Sequence, residues 1–194
     1  MSLLDQIHIS HIGDVLEDKP LVISKLLAQD KWNRRIYEKK DTTDLPTDPW
    51  GFGVAYNNRR YFDVLFEKIF SEYQRIFSDD REIDEVITRK ESYCLMQTDE
   101  RTGIGWHDHN PSYGASMNKV NPSLPLISAV YYLSLPEGSG GIKFKNDTEE
   151  IKVMPSEGDL IFFPHTMLHK PARCSCKENR ISFNINIFPK VSYA

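Results

Sequence analysis

From residue 90 onward, the chain is a succession of short apolar stretches separated by turn residues, and this pattern limits the fold more than any other feature. The stretches are ESYCLMQ, ISAVYYLSL, GIKFK, EEIKVM, DLIFF and NRISFNINIF. Between them lie PEGSGG (136–141), KNDTE (145–149) and PSEGD (155–159), whose residues accept tight-turn geometry. PEGSGG has neither the lysine nor the following helix of a phosphate-binding loop, so it indicates a hairpin turn. The pattern predicts an antiparallel all-β array.

The first part of the chain has helical spacing instead. PLVISKLLAQ (20–29) opens with a proline suited to a first helical turn, and residues 59–77 repeat apolar side chains along one helix face. Helices that precede a strand-rich region predict an α+β domain in which the helices buttress a curled double sheet or barrel. At 194 residues, the chain predicts one domain, 1–194, with a helical support region (1–90) and a β-sandwich core (90–190).

Composition narrows the partners and the location. The formal net charge of -4 disfavours nucleic acid and anionic membranes, so small molecules or peptides are the expected partners. The first residues lack the pattern of a signal peptide, and LISAVYYLSL is too short to span a bilayer. The three cysteines, Cys94, Cys174 and Cys176, form no CxxC motif, which predicts free thiols in a reducing compartment and a cytoplasmic protein.

Four of the six histidines lie in two short windows of the strand-rich region, GWHDHNPSYG (105–114) and GDLIFFPHTMLHKP (158–171). In an extended segment, side chains alternate between faces, so His107 and His109 point to one side and Asp108 to the other. The second window offers His165 or His169 as a third ligand, and local rules leave that choice open. Nitrogen and oxygen ligands without cysteine suit iron(II), manganese or zinc. The remaining histidines, His8 and His11, are expected to have no chemical role.

Several short motifs follow one another in the order found in a known family. They are HDHNP (107–111), YYL (131–133), SGG (139–141), PSEGDLIFF (155–163), His169 and RIS (180–182). In this respect residues 90–188 resemble the 2-oxoglutarate- and iron(II)-dependent dioxygenases, especially the prolyl-hydroxylase-like branch. The resemblance implies a double-stranded β-helix (jelly-roll, cupin-like) core.

The resemblance also implies site residues and cofactors. It selects His169 over His165 as the distal metal ligand, next to His107 and His109. It assigns Arg180 to the distal carboxylate of 2-oxoglutarate, and a planar guanidinium suits that role because it can grip a carboxylate through two hydrogen bonds. Ser182 shares a strand face with Arg180 and could add a hydrogen bond, as could the hydroxyl of Tyr132. The implied cofactors are Fe(II) and 2-oxoglutarate, with O2 as cosubstrate.

The sequence departs from the family pattern at two positions. The family has a carboxylate ligand where this chain has His109, so either the site has three histidines or Asp108 turns inward in its place. Strand alternation favours three histidines. Three neutral imidazoles would raise the net charge of the iron(II) centre by one unit and alter its affinity and redox potential. Many relatives also have a tyrosine where this chain has Gln97.

The leading functional hypothesis is therefore an oxygenase that couples 2-oxoglutarate decarboxylation to hydroxylation of a peptidyl or free amino-acid substrate. The alternative is a cupin-like three-histidine dioxygenase or metal-binding protein that does not use 2-oxoglutarate, although Arg180 and Ser182 would then have no task. A third possibility is a catalytically silent binding module. The polar segment 112–125 is equally compatible with a lid that selects the substrate and with an ordinary surface loop.

Overall fold

The computed structural model describes residues 2–38, 59–78, 82–99, 105–109 and 127–190. The predicted substrate loop at 112–125 lies outside these residues, as does the Asn-Pro pair that follows His109. The helices are α1 (Lys19–Glu38), α2 (Arg59–Phe77) and α3 (Glu85–Lys90). Helix α2 has the predicted bounds, and α1 extends further than the predicted helix at both ends. A side-chain cap marks the start of α3, where a carboxylate oxygen of Asp84 accepts a hydrogen bond from the Ile87 backbone N–H at 2.9 Å.

Eight strands form two antiparallel sheets among the described residues. A five-stranded sheet has the order β1-β6-β3-β8-β2, and a three-stranded sheet has the order β5-β4-β7. The strands are β1 (His8–His11), β2 (Tyr93–Gln97), β3 (Ile127–Ser134), β4 (Ile142–Lys145), β5 (Glu150–Val153), β6 (Asp159–Pro164), β7 (Leu168–Pro171) and β8 (Arg180–Ile187). The protein is thus α+β with mostly antiparallel sheets.

Alternation along the strands separates the two faces of the larger sheet. The odd-numbered residues of β3 and β8, such as Tyr131 and Phe183, belong to a buried cluster with Phe62 and Phe66 of α2. The even-numbered residues of β3, such as Tyr132, belong to a second cluster that includes Phe144 of the smaller sheet. Helices therefore cover one face, and the space between the sheets is left for the even-numbered side chains of β8.

One strand did not emerge from the sequence pattern. Strand β1 has the sequence HISH, in which one of four residues is buried, so it lacks the apolar run of a typical strand. It forms because it pairs with β6, with His8 opposite Phe162 and His11 opposite Asp159. A strand that depends on a partner about 150 residues away leaves little local signal.

The cysteine prediction was wrong for two of the three residues. Cys174 and Cys176 form a disulfide, with their Cα atoms 5.5 Å apart, whereas Cys94 is free and buried. Residues 172–176 form neither helix nor strand, and this segment holds the two Cα atoms at a separation within reach of a disulfide. The argument from free thiols for a reducing compartment thereby loses its support.

The glycine-rich segment 136–141 is not a hairpin turn as predicted, because it joins β3 of the larger sheet to β4 of the smaller one. The disulfide loop packs against this segment. The backbone N–H of Ser175 donates to the carbonyl of Gly138, and that of Ala172 donates to the carbonyl of Gly141, both at 2.9 Å. Gly140 has φ +83, and a Cβ atom there would lie 2.3 Å from the carbonyl oxygen of Arg173. A side chain at position 140 would therefore force the loop and the segment apart.

Among the described residues, no helix is both long and apolar enough to cross a membrane.

Candidate metal centre and adjoining pocket

Three histidines lie close together where the segment 105–109 pairs with strand β7. His107 and His169 exchange backbone hydrogen bonds of 3.1 and 2.8 Å, and the N–H of His109 donates to the carbonyl of His165 at 2.7 Å. This short antiparallel pairing sets His107 opposite His169. One ring nitrogen from each of His107, His109 and His169 lies within 4.8 Å of the others. Asp108 and His165 are not part of this group.

In all three imidazoles, the Nδ1 atom lies within hydrogen-bond distance of an oxygen acceptor, which orients the ring. The Nδ1 of His107 lies 2.9 Å from the carbonyl oxygen of Gly105, and that of His169 lies 2.8 Å from the carbonyl oxygen of Met167. Carbonyl oxygens only accept, so these Nδ1 atoms carry the proton and the Nε2 atoms present lone pairs. The Nε2 atoms of His109 and His169 are buried and have no hydrogen-bond partner.

His109 is oriented by side chains rather than by backbone. Its Nδ1 lies 2.7 Å from Oδ1 of Asn186 and 2.8 Å from Oγ of Ser128, and the Ser128 hydroxyl donates to the same amide oxygen at 2.7 Å. Asn186 and Ser128 are cross-strand partners on β8 and β3. A pair of residues on two neighbouring strands thus supports the imidazole of His109.

Burial keeps the imidazoles of His109 and His169 neutral. It lowers the pKa of His109 to about 4 and that of His169 to about 2, and the neighbouring histidines lower both further. A neutral imidazole is the form that binds a metal. The donor set fits a divalent metal, because three imidazole nitrogens converge and two of them are buried without a hydrogen-bond partner.

Arg180 lies at the other end of the same space. Its side chain is 1% exposed, and its Nη1 donates to the carbonyl of Ser139 at 3.2 Å while its Nε has no partner. The guanidinium carbon lies 5.4 Å from the centre of the Tyr132 ring. The Tyr132 hydroxyl has no hydrogen-bond partner. Burial raises its pKa to about 12, and the nearby guanidinium charge opposes this rise only in part. Burial lowers the pKa of Arg180, yet arginine starts so high that it remains a cation.

Further polar side chains around Arg180 are also buried and unsatisfied. Gln97 is the register partner of Arg180 and is 1% exposed, and neither its amide oxygen nor its amide nitrogen has a hydrogen-bond partner. The Nδ2 of Asn184 is unsatisfied too. Buried polar groups without partners are rare in native proteins and call for an explanation. Such a concentration beside a buried cation indicates a binding site for a polar, anionic ligand.

One pocket joins the histidines to the arginine. Its lining comes from both sheets and includes Tyr93, Leu95, His107, Val130, Tyr132, Ile142, His169, Pro171, Arg180, Ser182 and Asn184. The structure therefore brings together the predicted residues His107, His169, Tyr132, Arg180 and Ser182 around one space. His109 adjoins it through the histidine group.

Sequence reasoning missed the support for His109 and the polar role of Asn184. The signal was present in RISFNINI, where polar residues at 180, 182, 184 and 186 alternate with apolar residues at 181, 183, 185 and 187. Period-2 alternation would have put Arg180, Ser182, Asn184 and Asn186 on one face.

No family model matches the chain, and no curated protein matches it in sequence. Solved structures do match in fold. The carbocyclase SnoK from nogalamycin biosynthesis, described as a non-heme alpha ketoglutarate dependent enzyme, has a TM-score of 0.60 at 13% identity and covers 96% of this chain and 81% of its own. AviO1 from Streptomyces viridochromogenes Tue57 has a TM-score of 0.60 at 12% identity and covers 99% and 94%. The epimerase SnoN from nogalamycin biosynthesis has a TM-score of 0.56 at 11% identity and covers 96% and 78%.

At these identities, the likeness concerns the fold. The chain matches less than half the length of two other neighbours, 42% of the non-heme monooxygenase ThoJ and 49% of an oxidoreductase of the 2OG-Fe(II) oxygenase family from Burkholderia pseudomallei. The fold is thus shared with structures described as non-heme, alpha-ketoglutarate-dependent enzymes.

Proposed function

We propose that this protein is an Fe(II)- and 2-oxoglutarate-dependent dioxygenase of the prolyl-hydroxylase-like branch, built as one double-stranded β-helix domain over residues 1–194. The observation that carries the proposal is the pocket itself. Three Nε2 lone pairs converge at one end, and a buried, incompletely hydrogen-bonded Arg180 lies at the other. A metal centre and a carboxylate anchor at opposite ends of one pocket suit a small ligand that is a metal chelator at one end and a carboxylate at the other.

His107, His109 and His169 would hold the iron, with their Nδ1–H groups fixed by Gly105, Asn186 and Met167. Asp108, the alternative to His109, is outside the histidine group. When bound, Fe(II) supplies the redox chemistry by which O2 oxidises 2-oxoglutarate and an unactivated C–H bond.

Each remaining polar residue has a task in positioning the cosubstrate. Arg180 would bind the distal carboxylate. Its Nε is buried without a hydrogen-bond partner, and such a guanidinium gains most from a carboxylate ligand. The hydroxyls of Tyr132 and Ser182 would add hydrogen bonds. Val130 and Ile142 on the pocket wall would exclude water, which strengthens the ion pair.

Hydroxylation of a peptidyl or free amino-acid substrate remains part of the proposal, as does a cytoplasmic location. The second candidate is a three-histidine metal dioxygenase or metal-binding protein that does not use 2-oxoglutarate. His109 at the carboxylate position favours it, and the unsatisfied groups around Arg180 argue against it, since it gives them no ligand.

The test is anaerobic titration of the iron-reconstituted protein with 2-oxoglutarate, followed by measurement of succinate formation and O2 uptake after admission of air. We expect saturable 2-oxoglutarate binding that depends on bound iron, and succinate formation even without added substrate. Bound iron with no 2-oxoglutarate binding and no succinate would refute the proposal and favour the second candidate.

A further inference from the structure

The outer face of the three-stranded sheet carries a concentration of positive charge in an acidic protein. Ile142 and Phe144 of β4 point into the buried cluster between the sheets, so Lys143 and Lys145 point to the other side. By the same alternation, Lys152 of β5 and Lys170 of β7 lie on that outer side. We refer to Lys143, Lys145, Lys152 and Lys170 as the lysine face. The chain as a whole has a formal charge of -4.

The strand register sets three of these lysines side by side. Lys143 is the Cα partner of Lys152 on one side and of Lys170 on the other. Neighbouring strands are about 4.8 Å apart, so the row crosses the sheet within ~10 Å. Like charges directly opposite each other destabilise a sheet. Such a row costs stability unless a negative partner compensates it.

Glu150 of β5 compensates part of this positive charge. The ion pair found on this face joins Nζ of Lys143 to Oε1 of Glu150 at 2.7 Å. Glu150 has a lowered pKa, chiefly because of that hydrogen bond and further because Lys143, Lys170 and Lys145 all act on it. Glu150 thus interacts with three of the four lysines of this face.

Protection of a sheet edge does not explain the arrangement. Lysines on edge strands discourage unwanted strand pairing, which would account for Lys152 on β5. However, β4 is the central strand of this sheet, and it contributes two of the four lysines.

The lysine face lies on the opposite side of the sheet from the histidine group, but it is adjacent to it along the chain. Lys170 follows His169 on β7, and Trp106 precedes His107. The ring centre of Trp106 lies 4.7 Å from Nζ of Lys145 and 4.6 Å from Nζ of Lys170. A chain bound along the lysine face would therefore pass Trp106, which precedes His107.

The surroundings favour a polypeptide over a nucleic acid. The Trp106 ring is already engaged by two ammonium groups, so it is not free to stack on a base in the way that single-stranded nucleic acids require. Two apolar side chains border the lysines, Leu168 at 37% exposure and Met154 at 63%. Leu168 is the register partner of Lys145. Acidic residues mixed with apolar ones would complement such a surface.

We propose that the lysine face is a docking surface for an acidic segment of a polypeptide substrate, which places the reactive residue of that substrate near the histidine group. The assignment of the segment as substrate rests on the proposed function. The docking itself does not require metal or 2-oxoglutarate and can be measured without either.

The probe is a fluorescein-labelled peptide in which Glu-Leu-Glu-Ser is repeated three times, titrated with metal-free protein at low salt and followed by fluorescence anisotropy. The comparison probes are the same peptide with glutamine in place of glutamate, and an oligothymidylate of matching length. We expect the glutamate peptide to bind more tightly than both, with an affinity that falls as salt is added.

The test variant is Lys143→Glu with Lys152→Glu, which reverses the row without touching the histidines, and Lys143→Gln with Lys152→Gln is a milder version. The matched control is Lys25→Glu with Lys68→Glu, which changes the net charge equally on exposed helix positions. We expect the test variant to bind the glutamate peptide about tenfold more weakly or worse, and the control to bind as the wild type does.

The docking proposal is wrong if the test variants bind like the wild type, if the control weakens binding equally, or if the glutamine peptide or the oligothymidylate binds as well as the glutamate peptide. If the wild-type protein binds the glutamate peptide but its iron-loaded form does not bind 2-oxoglutarate, the proposed function is wrong and the docking proposal stands.

Discussion

The two ends of the pocket satisfy their polar groups in opposite ways. At the histidine end, every Nδ1 has an oxygen acceptor within 3 Å, supplied by Gly105, Met167, and the pair Ser128 and Asn186. At the arginine end, Arg180 has one described hydrogen bond, to Ser139, and polar atoms of its neighbours have none. The protein itself orients the histidine end, whereas the arginine end keeps buried donors that, under the proposed function, a ligand would satisfy.

This difference matches what each end would bind, a metal ion at the histidine end and a carboxylate at the arginine end. A metal needs ligands that are already aimed, so the protein fixes the rings in advance and leaves only Nε2 free. A carboxylate supplies hydrogen-bond acceptors itself, so donors at the arginine end can be left without partners until it binds. Substitutions at the two ends should therefore have separable effects, on metal affinity at one end and on 2-oxoglutarate affinity at the other.

The largest effect is expected from loss of a histidine of the group. His169→Ala should weaken Fe(II) binding by more than about 100-fold, since loss of a ligand exceeds the 10- to 100-fold typical of an outer-shell change. Anaerobic competition with a chromophoric chelator measures this affinity. His165→Ala, at a histidine outside the group, is the control and should retain iron.

The same assay decides between His109 and Asp108. His109→Ala should lose iron and Asp108→Ala should keep it. The reverse result would mean that the carboxylate, not the imidazole, completes the site.

The next effect belongs to the arginine end. Arg180→Ala should weaken 2-oxoglutarate binding by ~30-fold or more while iron affinity stays as in the wild type, because truncating one partner of a buried ion pair costs ~2–5 kcal/mol. Calorimetric titration of the iron-loaded, anaerobic protein measures the change. Arg173→Ala is a suitable control, as Arg173 is exposed. Equal loss of iron and of 2-oxoglutarate would mean that the two ends do not act separately.

Two asparagines on β8 allow a finer comparison. Asn184 and Asn186 lie on the same strand and the same face, but Asn186 accepts from His109 whereas Asn184 lines the pocket. Asn186→Ala should weaken iron binding by about 10- to 100-fold, as expected for a residue that orients a ligand. Asn184→Ala should leave iron binding intact and weaken 2-oxoglutarate binding. If the two substitutions give the same pattern, the proposed division of the strand is wrong.

Local patterns predicted much of this molecule, and long-range pairing explains what they missed. The bounds of α2 followed from apolar spacing, and strands β2 to β6 and β8 arose near the predicted stretches. Alternation along an extended segment was also enough to predict that His107 and His109 share one side. By contrast, β1 exists through its pairing with β6, and Asn186 reaches His109 because β8 and β3 are neighbours. The Cys174–Cys176 disulfide depends on the backbone conformation of an irregular segment, which residue types alone do not specify.

The smallest predicted effect concerns Gln97, where burial without hydrogen bonds should cost stability in the absence of ligand. Gln97→Leu removes the unsatisfied amide at similar volume, so the metal-free protein should unfold with a free energy higher by ~1 kcal/mol or more, because an orphaned buried polar group costs about 1–3 kcal/mol. The same variant should bind 2-oxoglutarate about tenfold more weakly, if the amide nitrogen donates to the bound carboxylate. Denaturant titration and calorimetry measure the two changes, and Gln74→Leu at an exposed position of α2 should alter neither. A variant that is less stable and binds 2-oxoglutarate normally would show that Gln97 serves packing rather than the ligand, and would leave Arg180, Tyr132, Ser182 and Asn184 to bind it.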